Sequence, residues 1–313
     1  MTQSDLTDTD RVFADQATSA TEGRVVWAPA KSLWFSAMAT GGLVGVVVFP
    51  SLQAAGLTLT LMILTLCLGH SVGMHRLLIH RSFETPRWLE YLLVYLGTLV
   101  GMAGPIGMFR IHEIRDWHQQ QPDCHPLAKH SVGFWRDALW QMHCELRLTH
   151  PPRLWIERRV TEDRFYRWLE RSWRWQQLPL ALALYAMGGL GFVLWGICLR
   201  VAVSLAGHWI TVHFAHTRGA RPFVRDDIAV DGRNLPALGL VTFGEAFHNN
   251  HHAYPSSARM GHDALQIDPG WWVIRALAAF GLARDIRVPA PDAPTGTLTT
   301  YTPPAPTAAR LAL

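Results

Sequence analysis

Two pairs of long apolar segments limit the folds open to this chain more than any other feature. Residues 33–49 and 54–74 form the first pair, around the short link Pro50–Gln53, and residues 178–196 and 197–214 form the second. Each segment approaches the ~20 residues that a helix needs to cross the hydrocarbon of a bilayer. Because 49% of the residues are hydrophobic and only 17% are charged, the sequence predicts an all-α membrane protein with four transmembrane helices in two hairpins.

The charged residues predict the orientation of these hairpins. Lys and Arg are nearly absent from the two hairpin tips and dense in residues 76–174 and 218–287, so both termini and the large polar segments should face the cytoplasm. The join of the second hairpin should fall between Trp195 and Arg200, because a cation is less costly at the membrane boundary than at its centre. The net charge of +4 reflects this asymmetry and does not indicate a nucleic-acid surface.

The two ends of the chain differ in composition from the segment between them. Residues 1–26 are polar, residues 287–313 are rich in Pro, Thr and Ala, and we expect both to be disordered tails. A single domain of residues 27–286 would remain, with a cytoplasmic helical cap over the membrane helices. The four cysteines form no CxxC pair, so neither a disulfide framework nor a thiolate metal site is indicated.

The segment GEAFHNNHHAYPSSARMG, residues 244–261, sets His248, His251 and His252 together in a stretch poor in charge. Positions three and four apart share one helix face, so all three imidazoles could point at one centre. Neutral imidazoles suit iron, zinc, copper or nickel better than calcium or magnesium. The alternative is a polar loop with chance histidines.

A second histidine group lies where the second apolar segment ends. His75 and His80 would be about 140° apart around an α-helix, so they could flank two ions but not face one. His70, deeper in the segment, should hydrogen-bond within the bundle or line a channel. Residues 89–109 are apolar enough for a fifth crossing, but a crossing there would separate His80 from His112 by about 30 Å. We therefore expect that segment in the interface or under the cytoplasmic cap.

Further histidines and charges surround these groups. His112 and Asp116 share one helix face with Arg115 beside them, although an Arg–Asp pair on a helix surface is usually only a solvated pair. Aromatic and basic residues alternate in the segment 155–177, which predicts a helix at the membrane interface. Alternatively, the same residues could bind an anionic headgroup of the substrate. The histidines near the fourth crossing are candidate functional groups: His208, His213 and His216. The remaining histidines are expected at the surface or beside ligands: His118, His125, His130, His143 and His150.

These motifs resemble the membrane fatty-acid desaturase family, in particular its stearoyl-CoA and bacterial delta-9 acyl desaturase branch, over about Leu33 to Pro289. The likeness rests on HRLLIHRSFETP, on GEAFHNNHHAYPSSARMG, in which Glu245 falls in the family's register, and on the spacing of His216 before Arg221 and Pro222. The resemblance implies a cytoplasmic site for two iron ions. Its implied ligands are His75, His80, His112, His216, His248, His251 and His252.

The chain departs from the family's pattern in the second motif. Where the family has a histidine, two residues and two more histidines, this chain has His112, Glu113, Ile114, Arg115 and Asp116. Arg115 cannot coordinate a metal, whereas Asp116 can, and His118 or His213 is the alternative ligand. Val212 stands where the animal enzymes have Asn. Arg115, Glu245 and Asn249 are further candidate residues beside the ligands.

The resemblance implies oxygen-dependent desaturation of a long-chain fatty acyl substrate, either acyl-CoA or acyl-lipid, at delta-9. An unactivated C–H bond is beyond any side-chain acid or base, so a redox metal has to supply the chemistry. No HPGG-type haem segment is present, which implies a separate electron donor such as ferredoxin or a flavoprotein-driven carrier. The implied location is a bacterial inner membrane. The alternatives are a lipid hydroxylase with the same di-iron site and a non-catalytic membrane protein that binds or transports metal.

Overall fold

The structure, a computed structural model, describes residues 11–289 and the backbone of residues 296–297. Within this part of the chain, three helices are long and apolar enough to cross a membrane: Pro29–Val48, Leu52–Ile79 and Gln177–Thr217. They confirm a mostly helical chain with membrane-length segments.

The first hairpin joins α1 (Pro29–Val48) to α2 (Leu52–Ile79). The turn lies where the sequence predicts it, because the Ser51 side chain accepts a hydrogen bond from the Ala54 N–H and begins α2. From Ile63 to Ile79, α2 is wound with the i to i+5 hydrogen bonds of a π-helix. At 28 residues, α2 has more residues than the ~20 that a helix needs to cross the hydrocarbon of a bilayer.

The second hairpin turns at Gly188 and Gly189, not between Trp195 and Arg200 as predicted. α9 (Gln177–Val193) has non-helical backbone at these two glycines, and Gly189 has a φ of 67°, a value that favours glycine. A π-wound turn, Leu194–Leu199, and α10 (Arg200–Thr217) follow. The chain reverses at the glycine pair, since the Leu184 side chain packs against Gly196. Hydropathy could not locate this turn, because both arms are equally apolar.

Arg200, which was expected near the turn of the second hairpin, lies inside the helix bundle and is fully buried. Its guanidinium donates to the carbonyl oxygens of Leu99 (2.7 Å) and Gly196 (2.8 Å) and to Gln177 Oε1 (2.7 Å). These acceptors replace the water that the cation would otherwise need. Arg200 thereby ties the two arms of the second hairpin together.

The apolar segment 89–109 does not form one long helix. α3 (Arg87–Thr98) ends before the left-handed Gly101, and α4 (Pro105–Gln119) begins at the following proline. α3 lies against the π-wound part of α2, where Gly69 and Gly97 bring the two backbones into contact. At 12 residues, α3 is about 18 Å long, too short to cross the bilayer, as the histidine spacing predicts.

Short elements complete the cap. The helices are α5 (Pro126–Lys129), α6 (Phe134–His143), α7 (Arg158–Thr161), α8 (Arg164–Ser172), α11 (His248–Ala253) and α12 (Pro269–Ala279), with a 3₁₀ turn at Pro236–Leu238. The strand pairs are β1 (Val12–Phe13) with β4 (Arg153–Leu154), β2 (Gly23–Trp27) with β3 (Cys144–Leu148), both antiparallel, and β5 (Phe223–Val224) with β6 (Gly296–Thr297), parallel.

Parts of the two segments predicted to be disordered tails have a defined structure. β1 lies within residues 1–26, β2 begins there, and buried Arg11 donates to Glu113 Oε1 (2.8 Å) and to the Ile79 carbonyl oxygen (2.9 Å). In the C-terminal tail, the Arg287 N–H donates to the Ser82 carbonyl oxygen, and β6 pairs with β5. Residues 1–10, 290–295 and 298–313 of these tails lie outside the described residues.

Candidate metal centre

Four imidazoles meet below the cap at the end of α2. His75 and His80 come from α2 and its end, His112 from α4 and His251 from α11, and all four are buried. One ligand atom of each lies within 4.8 Å of the others. The Nε2 of His112 is 3.1 Å from the Nε2 of His75 and 3.2 Å from the Nε2 of His80. We call these residues the four-histidine group.

His75 and His80 belong to the same group, which an α-helix would not allow. The His80 N–H donates to the His75 carbonyl oxygen at 3.0 Å, and this i to i+5 bond makes five residues about one turn. The prediction of two imidazoles about 140° apart was therefore wrong, since it assumed α-helical winding. His80 and His112 lie together in this group, as the argument against a membrane crossing at residues 89–109 requires.

Three further imidazoles form a second group beside the first. His216 lies at the end of α10, and His248 and His252 lie one turn apart on α11. Their ligand atoms also lie within 4.8 Å of one another, and the Nε2 atoms of His216 and His248 are 2.9 Å apart. We call them the three-histidine group. The expectation that His248, His251 and His252 point at one centre was wrong, because α11 sends His251 to the other group.

The donor set of the two groups fits a metal cation. His216 Nδ1 is 2.8 Å from the Val212 carbonyl oxygen, so its proton is on Nδ1 and its Nε2 carries a lone pair. Burial lowers the pKa of His112, His248 and His251 well below the ordinary value, which keeps these rings neutral. Neutral imidazoles whose nitrogens converge fit a transition metal.

Glu245 sets the orientation of one imidazole in the four-histidine group. Its Oε2 lies 2.5 Å from His75 Nδ1, and its Oε1 accepts from Ser71 Oγ at 2.6 Å. Burial alone would raise the pKa of Glu245, but His75 and the Arg76 guanidinium lower it well below its usual value. A carboxylate on Nδ1 fixes the tautomer that presents Nε2 to a metal.

Asp116 lies outside both groups of converging ligand atoms. Its Oδ2 is 3.5 Å from His112 Nδ1, the nitrogen that faces away from the other imidazoles, and its Oδ1 accepts from Arg115 Nε at 3.0 Å. Arg115 lies near both groups, since its charge contributes to the lowered pKa of His248, His251 and His252. The structure thus places a carboxylate behind His112 and a cation near the three-histidine group.

The other predicted residues have structural partners. His118 Nδ1 is 2.7 Å from the Ile114 carbonyl oxygen, and Asn249 ties α11 to Phe223 through bonds of 2.8 Å to its backbone N–H and carbonyl oxygen. His70 packs edge to face against His208, with ring centroids 5.4 Å apart. His143 Nδ1 is 2.8 Å from Ser32 Oγ, and His125 caps α5.

Asp137 is a buried residue that the sequence did not single out. Its Oδ2 accepts from His130 Nδ1 (3.0 Å), His213 Nδ1 (2.8 Å) and Trp209 Nε1 (2.8 Å). Burial opposes its ionisation, but hydrogen bonds and the charge of His130 lower the pKa of Asp137 to about 2. His130 in turn stacks on His216, with centroids 5.4 Å apart and planes at 1°. A lone acidic residue on α6 gave no sequence signal of this role.

Comparisons with known proteins agree with this geometry. The sequence profile of the family described as fatty acid desaturase matches residues 50–266, which include all seven histidines of the two groups. An sn-2 palmitoyl-lipid 9-desaturase of Nostoc sp. (strain 36) is 35% identical over 245 residues, covering 76% of this chain and 83% of the relative. An sn-1 stearoyl-lipid 9-desaturase of Synechocystis sp. (strain ATCC 27184 / PCC 6803 / Kazusa) is 35% identical over 247 residues, covering 77% and 74%. Delta-9 acyl-lipid desaturase 1 of Arabidopsis thaliana is 34% identical over 223 residues, covering 71% and 72%.

Proposed function

The chain belongs to the fatty acid desaturase family, and on that premise we propose that it forms a delta-9 double bond in an acyl chain esterified to a membrane lipid. It is an oxidoreductase that desaturates fatty acyl chains. The delta-9 position and the lipid ester are proposed from the relatives, which are named as lipid 9-desaturases. Acyl-CoA desaturases also occur among similar proteins, at 32–33% identity, so the carrier requires a direct test.

The observation that carries this proposal is the pair of histidine groups at the ends of two membrane-length segments, in which every imidazole except that of half-buried His252 is buried. We propose that each group holds one iron ion, the four-histidine group through four imidazoles and the three-histidine group through three. Iron ions bound there would supply the redox chemistry that O₂-dependent C–H oxidation needs. Asp116 and Arg115 are proposed to act beside the ligands, with Asp116 orienting His112.

The protein's own contribution is to position the histidine ligands and to shield them from water. Glu245 holds the His75 ring, Asp137 holds His130 and His213, and the buried Asn249 fixes α11 against β5. A fixed ligand frame keeps the reacting methylene groups at one distance from the oxidant, which limits hydroxylation as a side reaction. Burial of all four imidazoles of the four-histidine group limits the access of water to that group.

We propose two hairpins in the membrane, with the histidine-rich end and both termini on the cytoplasmic side of a bacterial inner membrane. The support is the paucity of Lys and Arg at the hairpin tips. The arm of residues 177–187 is only 11 residues long, about 16 Å as a helix, so we propose that this arm enters the membrane without crossing it completely. Cysteine accessibility on either side of Gly188 and Gly189 in sealed vesicles would test it.

A desaturase-deficient host provides the test of function. Wild-type protein should restore monounsaturated fatty acids with the double bond between carbons 9 and 10, as read by mass spectrometry of dimethyl disulfide adducts. His251→Ala should abolish the product, whereas His150→Ala, on an exposed residue, should leave it unchanged. Purified protein should act on a labelled phosphatidyl or galactosyl lipid and not on acyl-CoA.

Other outcomes separate the alternatives. A hydroxylated acyl chain with no new double bond would identify a lipid hydroxylase. Zinc in place of iron, with no lipid product, would favour a metal-binding or transport protein. If the protein desaturated acyl-CoA but no lipid ester, the desaturase activity would stand and the proposed lipid carrier would be refuted.

A further inference from the structure

A cavity of about 520 Å³ opens between α6 and the end of α10. Its volume lies within the range of about 300–1,000 Å³ that is typical of pockets for small ligands. We call it the aromatic cavity and define it by six of its lining residues: His130, Ser131, Phe134, His213, Phe214 and Arg218.

The floor of the aromatic cavity lies next to the three-histidine group. His130 and His213 form this floor, since they are only 4% and 7% exposed. The Oδ2 of Asp137 accepts from the Nδ1 atoms of both rings, and the His130 ring stacks on the ring of His216 with centroids 5.4 Å apart. A molecule that reached the floor would therefore contact a ring that itself lies against a member of the three-histidine group.

Aromatic rings form the walls of the cavity. The rings of Phe134 and Phe214 face each other with centroids 6.1 Å apart and planes at 29°, and Phe134 also packs on Trp209, with centroids 4.9 Å apart. Such walls offer no hydrogen bond to a polar ligand, and they gain from burial of apolar surface. They suit a hydrocarbon chain.

The mouth of the cavity has one cation without a counter-ion. Arg218 is exposed, and its guanidinium lies 5.8 Å from the centroid of the Phe214 ring. Among residues 11–289, Arg218 forms no ion pair, and no Asp or Glu lines this cavity. The exposed Ser131 adds a hydroxyl donor. An anionic group at the mouth would be paired by Arg218 and could accept a hydrogen bond from Ser131.

One exposed face of α10 leads along the membrane-length segment to this mouth. Val203, Gly207, Phe214 and Arg218 are four, seven and four residues apart, so they lie on one side of the helix and at its end. Val203 is 43% exposed, and a Cβ at Gly207 would have no neighbour within 4 Å. Trp135, at the start of α6, is 82% exposed, as is typical of tryptophan at the level of lipid headgroups.

We propose that the aromatic cavity takes an acyl chain of an anionic phospholipid from the adjoining leaflet, with the lipid phosphate at Arg218 and Ser131. The proposal rests on the proposed desaturase function and narrows its substrate from lipid esters in general to phospholipids. A galactosyl headgroup offers no charge to Arg218, and acyl-CoA would bring several negative charges to a mouth that has one cation. A lipid that enters along α10 also keeps its chain out of water.

Photolabelling tests where the lipid lies. The full chain in nanodiscs of neutral lipid is irradiated with a trace of phosphatidylglycerol that carries a diazirine near the start of one acyl chain. The label should appear in the tryptic peptides of residues 130–136 and 201–218, which contain Phe134 and Phe214. Unlabelled phosphatidylglycerol should compete, whereas inorganic phosphate and acyl-CoA should not. Competition by phosphate alone would indicate a site for a free anion, competition by acyl-CoA would indicate a nucleotide headgroup, and either result would overturn the proposal.

Arg218→Gln tests the headgroup contact by itself. Native mass spectrometry of the metal-free full chain measures how much phosphatidylglycerol and galactosyl diacylglycerol with equal acyl chains the protein retains, so the reading does not depend on desaturation. The preference for phosphatidylglycerol should fall about fivefold in the variant, the usual contribution of one basic residue beside anionic lipid. Arg136→Gln is the matched control, because Arg136 is exposed, lies over the Trp140 ring and does not line the cavity. It should leave the preference within twofold of wild type.

The outcomes separate the lipid site from the proposed function. If phosphatidylglycerol labels both peptides and is retained, but no acyl chain gains a double bond in the iron-loaded protein, the proposed function is refuted and the lipid site stands. If phosphatidylglycerol is desaturated but the label falls on other peptides, the function stands and the aromatic cavity is refuted as its site. Equal headgroup preference in wild type, Arg218→Gln and Arg136→Gln would refute the contact between the phosphate and Arg218.

Discussion

Removal of the charge on Glu245 should weaken metal binding at the four-histidine group without unfolding the chain. Glu245→Gln keeps the size of the side chain and can still accept a hydrogen bond from His75, but it no longer offers a carboxylate 2.5 Å from Nδ1. The carboxylate makes the imidazole a more basic ligand. The neighbouring Arg76 retains Asp268, at 2.9 Å, and the Phe243 carbonyl oxygen, at 3.0 Å, so the local fold should persist.

The size of the effect follows from the geometry of this contact. Loss of a carboxylate behind a histidine ligand costs about 10- to 100-fold in metal affinity, which corresponds to about 1.4–2.7 kcal/mol. The value should lie toward the upper end, because the contact is short and Glu245 is well shielded, with only 19% of its side chain exposed. The three-histidine group does not contact Glu245 through any hydrogen bond among the described residues, so its affinity should change by less than twofold.

A chelator titration measures both groups at once. Purified protein loaded with iron is equilibrated with chelators of increasing strength, and bound iron per chain is read by mass spectrometry. Wild type should lose its two ions over a higher chelator range than Glu245→Gln, whose iron content should pass through a plateau near one. Glu162→Gln, at an exposed position, is the control. Equal affinities for wild type and variant, or equal loss from both groups, would refute the assigned role of Glu245.

Three further changes probe other parts of the fold. Arg200→Leu should lower the free energy of unfolding by about 2–4 kcal/mol, because Gln177 Oε1 and the Leu99 carbonyl oxygen lose their donor, and an unchanged melting temperature in nanodiscs would contradict this. Asp137 has a pKa of about 2 against an ordinary 3.8, so its ionised form should add about 2 kcal/mol to the free energy of unfolding above pH 4, and this stability should be lost as the pH falls through 2. Asp137→Asn should flatten that part of the curve of stability against pH. A curve identical to that of wild type would exclude the contribution. Metal removal should lower the melting temperature, since the ions bind only the folded chain, and His251→Ala should show a smaller shift on chelation than His150→Ala.

Much of the fold followed from the sequence, because membrane length and histidine content are strong constraints. The apolar runs predicted both hairpins, and the need for His80 and His112 to meet excluded a crossing at residues 89–109. Hydropathy could not locate the turn at Gly188 and Gly189, because the apolar run is continuous there. Burial of Arg200 was missed for a related reason: the sequence gives no sign that backbone carbonyl oxygens will surround a cation.

The histidines of the site were predicted, but their division into two groups was not. The family resemblance named the seven histidines that converge, yet helix periodicity assigned His75 and His80 to different ions and His248, His251 and His252 to one. The first error comes from assuming α-helical winding where the helix is π-wound, and the second comes from assuming that one helix serves a single centre. Asp137 was missed because His213 is 76 residues away from it in the chain, and His130 lies just after the short helix α5, without a recognisable motif. Only the tertiary packing reveals these contacts.

The six-residue helix α11 has a consequence for the spacing of the two histidine groups. His251 reaches one group while His248 and His252 reach the other, so less than two turns of backbone hold both centres in register. Asn250, bonded to Asn234, the Met260 carbonyl oxygen and Gln266, anchors that backbone from the opposite side. A movement of other parts of the cap that left α11 intact would therefore not change the distance between the two histidine groups.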